Sequence, residues 1–594
     1  MGRRRTAPVA VLVLTALVAG CNAGDNGVED DARVPTVDEA PAGSPSPATS
    51  DEPAAEPAVE PALLVEPAAA TTVLAEDGAQ ALAVAASRTL FESAPLVVLA
   101  PVDDRQAQER AARASVAAGM PLLLVAPETS PDIPPGGAAA TDAPAGTASP
   151  PASPRPPAPP DPAVAELERL GATTVLTFGT VPGGYADVST VPAPGQDTGL
   201  ALLLDVPVAE VQGGDPVTVT SGLVPGELAS PDVPEAAPAP DDELPLTSPG
   251  EPAGEVLVLS TGAAEQLAAV ATARAARADV LLVPGGDPRA GSTTVQALAG
   301  RGGVGTTMAL GTTFGDAATL DWRLSTAVTG TELPGGGQLV LPGTTYVALY
   351  GSPITASLGV LGEQGPEATV RRAQEHASWY TDLTDTTVVP ALEVIATVAA
   401  GDAGADGNYS NEWPLEDLRP LVDLAGENGQ YVVLDLQPGR TDFLTQATQY
   451  EELLREPHVG LALDPEWRLR PDQQHLRQIG QVDVAEVNEV VTWLADLTRD
   501  HELPQKLLVL HQFQVRMIPG LDSVDQSRSE LAVLVHVDGQ GSQPAKQDTW
   551  RVLRRNAPSI TWWGWKNFYD EDAPMLTPEQ TMQVEPRPSF ISYQ

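Results

Sequence analysis

Two carboxylates follow a short apolar run in the stretch Val459-Gly-Leu-Ala-Leu-Asp-Pro-Glu-Trp467. Side chains two residues apart in a β-strand point to the same side, so we expect Asp464 and Glu466 to face one way where that strand ends. A pair of carboxyl groups suits the cleavage of a glycosidic bond, because one can protonate the leaving oxygen while the other attacks the sugar or positions water. The spacing therefore indicates acid–base chemistry at the end of a strand.

The same pattern, an apolar run that ends in polar residues, recurs through residues 340–594. Helix-like segments separate the runs, at residues 366–380, 415–426, 443–455, 484–499 and 544–556. Strands that alternate with helices predict a parallel sheet. Seven such strands, with an eighth at residues 589–593, predict a (β/α)8 barrel of the TIM type. Active sites of such barrels lie at the carboxyl ends of the strands.

The polar residues at these strand ends form the candidate site. The predicted catalytic carboxyl groups are Glu393, Asp435, Asp464, Glu466 and Asp538, and the predicted substrate-binding side chains are Gln437, His511, His536, Trp563, Trp565, Lys566 and Asn567. The tryptophan rings are expected to stack on sugar faces. Crowding of like charges should raise the pKa of at least one carboxyl group, as a general acid requires.

The sequence Asp464-Pro465-Glu466 is similar to the Asp-x-Glu that ends a barrel strand in some chitinase-like and lysozyme-like hydrolases. The resemblance implies that Glu466 is the general acid and that Asp464 orients it. The residues also allow a structural interpretation, in which Asp464 caps the strand end and Glu466 pairs with Arg440 or Arg468.

A metal-dependent barrel hydrolase is the alternative chemistry. His511, His536, Asp538, Asp435 and Glu393 follow neighbouring strands and are residue types that bind metal ions. However, the chain has six histidines and no close His-x-His pair. The prediction from the sequence is therefore a site without a resident metal and without a cofactor.

The N-terminus carries the pattern of an export signal. Arg3, Arg4 and Arg5 precede an apolar run at residues 7–20, which is shorter than the roughly 20 residues that span a bilayer. The following Val18-Ala-Gly-Cys21 resembles the lipobox of bacterial lipoproteins. The resemblance implies cleavage before Cys21, the only cysteine of the chain, and a lipid anchor on it.

Composition divides the rest of the N-terminal half. We predict a signal peptide at 1–21, a disordered linker at 22–70, an α/β domain at 71–224 with a disordered insert at 128–162, a linker at 225–253 and a degenerate second α/β unit at 254–339. The segments "LVVLAPVDD", "AARASVAAGMPLLL" and "ELERLGATTVLTFG" resemble the cell wall-binding repeat of type 2. The resemblance implies Rossmann-like α/β layers that bind an anionic wall polymer.

Charge and motifs exclude other partners. The chain has 79 acidic and 33 basic residues, for a net charge of −46, which argues against nucleic acid because its binding depends on neutralised phosphates. Gly300-Arg-Gly-Gly-Val-Gly305 matches a dinucleotide-binding fingerprint by letter, but the fingerprint requires a strand before it and a helix after it. The segment before it looks helical, so we expect a glycine-rich turn and no nucleotide.

Together these patterns predict a lipid-anchored envelope protein of the actinobacterial kind, on the outer face of the cell membrane and associated with the wall. Its barrel is expected to bind or to hydrolyse a cell-wall or envelope polysaccharide. A non-catalytic wall-binding or scaffolding lipoprotein and a metal-dependent barrel hydrolase remain as alternatives.

Overall fold

The computed structural model describes residues 60–594 apart from 127–160, 183–184, 186–187, 232–242, 246, 249 and 253. The predicted signal peptide with Cys21, most of the predicted linker at 22–70 and nearly all of the predicted insert at 128–162 therefore lie outside the described residues. Among the helices that the structure describes, none has the length and apolar character needed to cross a membrane.

A closed barrel of eight parallel strands forms the C-terminal half, as the alternating pattern predicts. The strands are Thr344–Gly351, Thr387–Ala399, Tyr431–Leu436, Val459–Leu463, Lys506–Gln512, Leu531–Val537, Trp562–Asn567 and Phe590–Tyr593. We number them barrel strands 1 to 8. Strand 1 pairs with both strand 2 and strand 8, which closes the sheet. Strand 2 extends beyond its neighbours and pairs antiparallel with a short strand, Ser410–Glu412.

Helices cover the outside of the barrel, as in TIM-type folds. They are Pro366–Ser378, Leu415–Glu427, Phe443–Ala447, Glu451–Leu454, Val484–Asp500, Gln543–Asn556 and the short Pro578–Thr581. Their apolar faces pack on the outward side chains of the strands. The longest of them, Val484–Asp500, buries Val487, Val490, Val491 and Leu494 at the spacing of one helix face.

Side chains along each barrel strand alternate between the interior and this helix layer. The lower interior, at the amino ends of the strands, is apolar: Tyr346, Tyr431, Leu507, Leu534 and Phe590 pack together there with Leu333 and Leu341 from the segment that precedes the barrel. This packed plug closes the lower end. The same inward positions become polar toward the carboxyl ends of the strands, where the candidate site lies.

Two four-stranded parallel sheets form the N-terminal region. The first has the order Leu122–Val125, Leu96–Pro101, Thr174–Thr177, Ser189–Pro192, and the second has the order Asp279–Leu282, Val256–Ser260, Thr306–Leu310, Thr71–Leu74. The helices of this region are Ala79–Leu90, Arg105–Ala118, Pro162–Leu170, Asp197–Leu204, Pro216–Ser221, Leu267–Ala275, Ser292–Ala299 and Ala317–Val328.

The order of these strands departs from the predicted domain boundaries. Thr71–Leu74, expected in the first unit, forms the edge of the second sheet beside Thr306–Leu310. Leu63–Leu64, expected in the linker, pairs antiparallel with Phe91–Ser93. Leu228–Ser230, expected in the second linker, pairs with Val208–Glu210. Pairing between segments distant in sequence leaves no local signal. For this reason composition placed the strands Leu63–Leu64 and Leu228–Ser230 in linkers.

The glycine-rich segment at 300–305 lies between helix Ser292–Ala299 and strand Thr306–Leu310. This is the reverse of the order that a dinucleotide fingerprint requires, and it confirms the predicted turn.

Helix Leu267–Ala275 joins the two sheets into one body. It packs against helices Ala79–Leu90 and Arg105–Ala118, and its alanines allow this close approach. Thr272 on this helix reaches the edge strand of the first sheet: its Oγ1 accepts a hydrogen bond from the backbone N–H of Leu122 at 3.1 Å and lies 3.3 Å from the Leu122 carbonyl oxygen. A helix from the second unit thereby completes the edge of the first sheet.

Replacing Thr272 by Val should lower the free energy of unfolding of the N-terminal region by about 1–3 kcal/mol, because the buried N–H of Leu122 loses its partner at nearly constant side-chain volume. Urea denaturation followed by circular dichroism measures the change. Thr293→Val, at an exposed position of helix Ser292–Ala299, is the matched control and should leave the midpoint nearly unchanged. Equal midpoints for the two variants would show that this contact does not join the units.

Candidate active site

A cavity of about 410 Å³ opens at the carboxyl ends of the barrel strands. Its polar lining includes Asp464, Glu466, Asp538, Gln437 and Lys566, which come from the ends of strands 3, 4, 6 and 7 or directly follow them. Its apolar lining includes Tyr350, Trp467, Phe513 and Phe568. The location is the one that the barrel fold predicts for an active site.

Below the cavity, His511 joins two carboxyl groups from opposite directions. Its Nδ1 lies 3.0 Å from Oδ2 of Asp538, and its Nε2 lies 2.8 Å from Oε1 of Glu393. All three side chains are buried. Because both ring nitrogens face a carboxylate, both can donate only when the ring is an imidazolium. In that form one positive charge lies between two negative charges in the centre of the barrel.

Asp435 and His536 complete this floor. Asp435 accepts a hydrogen bond from the hydroxyl of Tyr350 on Oδ2 at 2.9 Å, and its Oδ1 lies 3.9 Å from Nε2 of His511. His536 has Nε2 at 3.1 Å from Oγ of Ser592 and Nδ1 at 3.7 Å from Oε1 of Glu393. The inward phase of strands 2, 3, 5 and 6 thus brings four residues that the sequence predicts for the site into one cluster.

A single turn of 3-10 helix, Pro465–Trp467, directs Glu466 into the cavity. Asp464 caps this turn, since its Oδ1 accepts a hydrogen bond from the Glu466 backbone N–H at 3.3 Å. The predicted pairing of Glu466 with Arg440 or Arg468 is not formed. Arg468 instead binds both oxygens of Glu486 through its guanidinium, and Arg440 donates to the carbonyl oxygen of Gln473.

Two of the carboxyl groups that line the cavity, those of Glu466 and Asp464, have raised pKa values. Burial and, after it, the nearby charge of Asp538 raise the pKa of Glu466 to about 7, against the opposing effects of Lys566 and His511. Burial followed by the charges of Glu466 and Asp435 holds the pKa of Asp464 well above its usual value. The sequence predicts raised carboxyl pKa values from like-charge crowding. The direction is confirmed, but burial is the larger cause.

In the floor, contacts with His511 outweigh the effect of burial on the pKa values of Glu393 and Asp538. Burial alone would raise the pKa of Glu393, but the charges of His511 and His536 lower it. Burial likewise opposes ionisation of Asp538, whose pKa is nevertheless lowered by its hydrogen bond to His511. Asp435 lacks so close a cation, and burial raises its pKa to about 6. Neighbouring carboxyl groups therefore differ in protonation at neutral pH.

Gln437 and Lys566 line the cavity as predicted. Gln437 donates from Nε2 to the Tyr350 hydroxyl at 3.3 Å and accepts the Ala399 N–H on Oε1 at 3.0 Å. Lys566 has Nζ 3.4 Å from the centre of the Tyr350 ring. These contacts hold the Tyr350 hydroxyl in place for its hydrogen bond to Asp435.

The prediction that Trp563, Trp565 and Asn567 bind substrate at the mouth is wrong. All three have the outward phase of strand 7, and both tryptophan rings lie in the core between barrel and helices, with Trp565 5.6 Å from the ring of Trp550. Asn567 accepts the indole N–H of Trp565 at 3.0 Å. Lys566 is directed inward, so residues at odd positions of this strand must face the helices.

The aromatic residues of the cavity come from other loops. Trp467 follows directly on Glu466, and Phe513 and Phe568 follow the last residues of strands 5 and 7. Tyr350, at the end of strand 1, stands between cavity and floor. A signal was present in the sequence for each of them, because Tyr350, Phe513 and Phe568 lie one residue from a strand end and Trp467 directly follows Glu466.

Comparison with known proteins does not assign the chain to a family. No protein-family model matches the chain, and no curated protein matches it either. The fold and the site define a chain with a TIM-type barrel and a carboxyl-rich cavity at its mouth, and its chemistry must be argued from this geometry.

Replacing Trp565 by Ala should lower the free energy of unfolding of the barrel by about 3–5 kcal/mol, because the variant loses a fully buried indole ring and leaves a cavity. Guanidinium denaturation measures this change. Trp467→Ala is the matched control: this ring is only partly buried at the cavity wall, and its loss should change the midpoint much less. Wild-type stability in Trp565→Ala would support the original assignment of this ring to substrate.

Proposed function

We propose that the barrel is a glycan hydrolase that cleaves its substrate by acid–base chemistry between carboxyl groups. One observation carries the proposal: a single cavity at the carboxyl ends of the strands contains Glu466, whose pKa is raised to about 7, together with Asp538 and aromatic side chains. A carboxyl group that keeps its proton near neutral pH can act as a general acid. Aromatic faces beside carboxyl groups suit a sugar ring.

Glu466 is the general acid in this proposal. It transfers its proton to the glycosidic oxygen as the bond from that oxygen to the sugar breaks, and water then supplies a hydroxyl group to the sugar. The proton that this water loses returns to Glu466 if Asp538 is the nucleophile, and passes to Asp538 if Asp538 is the base. Asp464 caps the turn that carries Glu466 and so orients it. Asp538 lines the same cavity with Oδ2 fixed by His511, and its Oδ1 is available as nucleophile or as base toward water.

The remaining cavity residues bind the sugar. Trp467, Phe513 and Phe568 offer ring faces, and Gln437 and Lys566 offer hydrogen-bond donors. Polar donors fix the orientation of a ligand, whereas the ring faces supply apolar contact area. A cavity of about 410 Å³ has the size of a small-molecule site and holds one or two sugar rings of a longer polymer.

We further propose that the protein is exported and anchored to the outer face of the cell membrane through a lipid on Cys21. The supporting observations are the basic residues at the start, the short apolar run and the Val-Ala-Gly that precedes the only cysteine. The N-terminal α/β region is proposed to have Rossmann-like layers and to bind a wall polymer. Its two parallel sheets with flanking helices support this assignment. The substrate is then a polysaccharide of the cell wall or envelope.

Glu466→Gln should reduce hydrolysis of isolated cell-wall polysaccharide by about 10²–10⁴-fold, because the amide cannot donate the proton. Release of reducing ends measures the rate. Glu489→Gln, at an exposed position of helix Val484–Asp500, is the matched control and should have wild-type activity. In the wild type, turnover should fall as the pH rises through about 7, where Glu466 loses its proton. Full activity of Glu466→Gln would reject the assigned role.

Glu466 also makes a prediction for stability that does not depend on a substrate. Its pKa is raised in the fold from 4.5 to about 7, so its contribution to stability is complete below pH 4.5 and is lost as the pH rises toward 7. Glu466→Gln lacks this titration. Its free energy of unfolding relative to that of the wild type should therefore increase between pH 4.5 and 7, which denaturation curves across this range can measure.

Cys21→Ala should abolish labelling of the protein with radioactive palmitate in a bacterial host that processes lipoproteins, and should shift it out of the membrane fraction, because the thiol is the attachment point of the lipid. Ser44→Ala, in the segment that follows, is the control and should leave labelling and fractionation unchanged. Equal labelling of the Cys21 variant would contradict the anchor.

A further inference from the structure

The floor of the barrel, which the proposed hydrolysis uses only for support, has the arrangement of a metal site. Inward nitrogens of two histidines meet at one carboxylate: Nε2 of His511 lies 2.8 Å and Nδ1 of His536 lies 3.7 Å from Oε1 of Glu393. Oδ1 of Asp435 lies 3.9 Å from Nε2 of His511. The possible ligand atoms of Glu393, His511 and His536 all lie within 4.8 Å of one another.

These separations fit the ligands of one ion. Nitrogen and oxygen ligands bind zinc at about 2.0–2.2 Å, so two ligand atoms of one tetrahedral ion lie about 3.4 Å apart. The separations of 2.8 and 3.7 Å from Glu393 to the two histidine nitrogens lie on either side of this value. Shifts of about 0.3 to 0.6 Å would bring these two pairs to it. The three side chains lie on strands 2, 5 and 6, whose backbone already holds them in place.

The outer nitrogens of both histidines are held in the manner of metal ligands. Nδ1 of His511 is bound by Asp538 at 3.0 Å, and Nε2 of His536 is bound by Ser592 at 3.1 Å. A histidine that binds a metal through one nitrogen commonly donates its other N–H to a carboxylate or another oxygen, which fixes the tautomer and the ring orientation. With protons on these outer nitrogens, both rings present a lone pair to Glu393.

The floor also contains buried lone pairs without partners. Among the described residues, Oε2 of Glu393, Oδ1 of Asp435 and Nδ1 of His536 are buried and form no hydrogen bond. Buried polar atoms are nearly always paired, so three such atoms in one cluster require an explanation. A proton on Nε2 of His511 satisfies only one oxygen of Glu393. A cation bound at the centre of the cluster interacts with all of these atoms at once.

We propose that Glu393, His511 and His536 bind one divalent transition-metal ion of the zinc type beneath the cavity, with the carboxylate of Asp435 beside it. Two imidazole nitrogens with one carboxylate oxygen are a ligand set that zinc accepts in sites that keep a fourth position open. The ion takes the place of the proton that joins His511 to Glu393, and its two positive charges balance the two carboxylates. The proposal departs from the expectation, drawn from the sequence, of a site without metal.

Metal analysis of the full-length protein tests the proposal directly. Protein purified without chelator should contain one zinc ion per chain by mass spectrometry. After removal of the metal with a chelator, titration with ZnCl₂ in a calorimeter should show one saturable site per chain. Glu393→Gln keeps the shape of the side chain but replaces a charged ligand, and should abolish this site. Absence of zinc before and after titration would overturn the proposal.

Two further variants separate ligand loss from misfolding and from surface binding. Ser592→Ala leaves all three ligands in place but removes the hydrogen bond that orients His536, and should weaken zinc binding by about 10–100-fold. Glu466→Gln alters the cavity above the floor and should bind zinc like the wild type. Zinc binding that is equally tight in Glu393→Gln and Ser592→Ala would place the ion elsewhere on the protein and reject this site.

The metal proposal and the proposed hydrolysis can fail independently. If Glu466→Gln loses activity but retains zinc, both proposals stand. If the wild type binds zinc but cleaves no polysaccharide, the proposed function fails while the metal site remains. If the wild type cleaves polysaccharide through Glu466 and binds no zinc, the floor is a hydrogen-bonded ion-pair network instead, with His511 as its cation.

Discussion

The contact of His511 with two carboxyl groups determines the state of the whole barrel mouth. It connects strand 5 to Glu393 on strand 2 and to Asp538 after strand 6, so it fixes side chains from both sides of the interior. Removing one partner of a buried ion pair leaves an uncompensated charge and costs about 3–5 kcal/mol. A positive centre, whether imidazolium or metal ion, is therefore required for Glu393 and Asp538 to be ionised at this depth. Burial and the charge of Asp538 outweigh that centre at Glu466 and raise its pKa to about 7.

The barrel separates an apolar end from a polar end along the same strands. Tyr346, Tyr431 and Phe590 close the lower interior, and the inward positions above them carry Tyr350, Asp435 and Ser592, each two or four residues farther along its strand. The plug keeps water away from the floor, so charges there interact strongly and buried carboxyl groups shift in pKa. The cavity above remains open to substrate. The interior of the barrel thus changes from an apolar lower end without solvent to an open polar end. Carboxyl groups at different depths between these ends differ in protonation.

Sequence periodicity predicts the parts of this arrangement that depend on local alternation. Apolar runs ending in polar residues place Glu393, Asp435, His511 and His536 on one side of their strands, and the structure brings them together. The same rule could have corrected the assignment of strand 7, because Lys566 and Trp565 are adjacent and cannot both face inward. Gly564 obscured the phase, yet it is required there, since a Cβ at this position would lie 2.8 Å from Cδ2 of His536. The pairing of Thr71–Leu74 with Thr306–Leu310 joins segments that are far apart in the chain and could not be predicted from local pattern.

Contacts between the N-terminal region and the barrel occur at the end opposite the cavity. Trp322 lies between the guanidinium groups of Arg289 and Arg499, at 4.5 and 4.7 Å, and Arg499 pairs with Glu530 just before strand 6. Gln505, just before strand 5, accepts the backbone N–H of Val340 at 3.0 Å. Gln505 and Glu530 precede barrel strands 5 and 6, whereas the site residues lie at or beyond the carboxyl ends of their strands. The α/β region therefore contacts the barrel at the amino ends of its strands and leaves the carboxyl-rich cavity at the other end uncovered by these contacts.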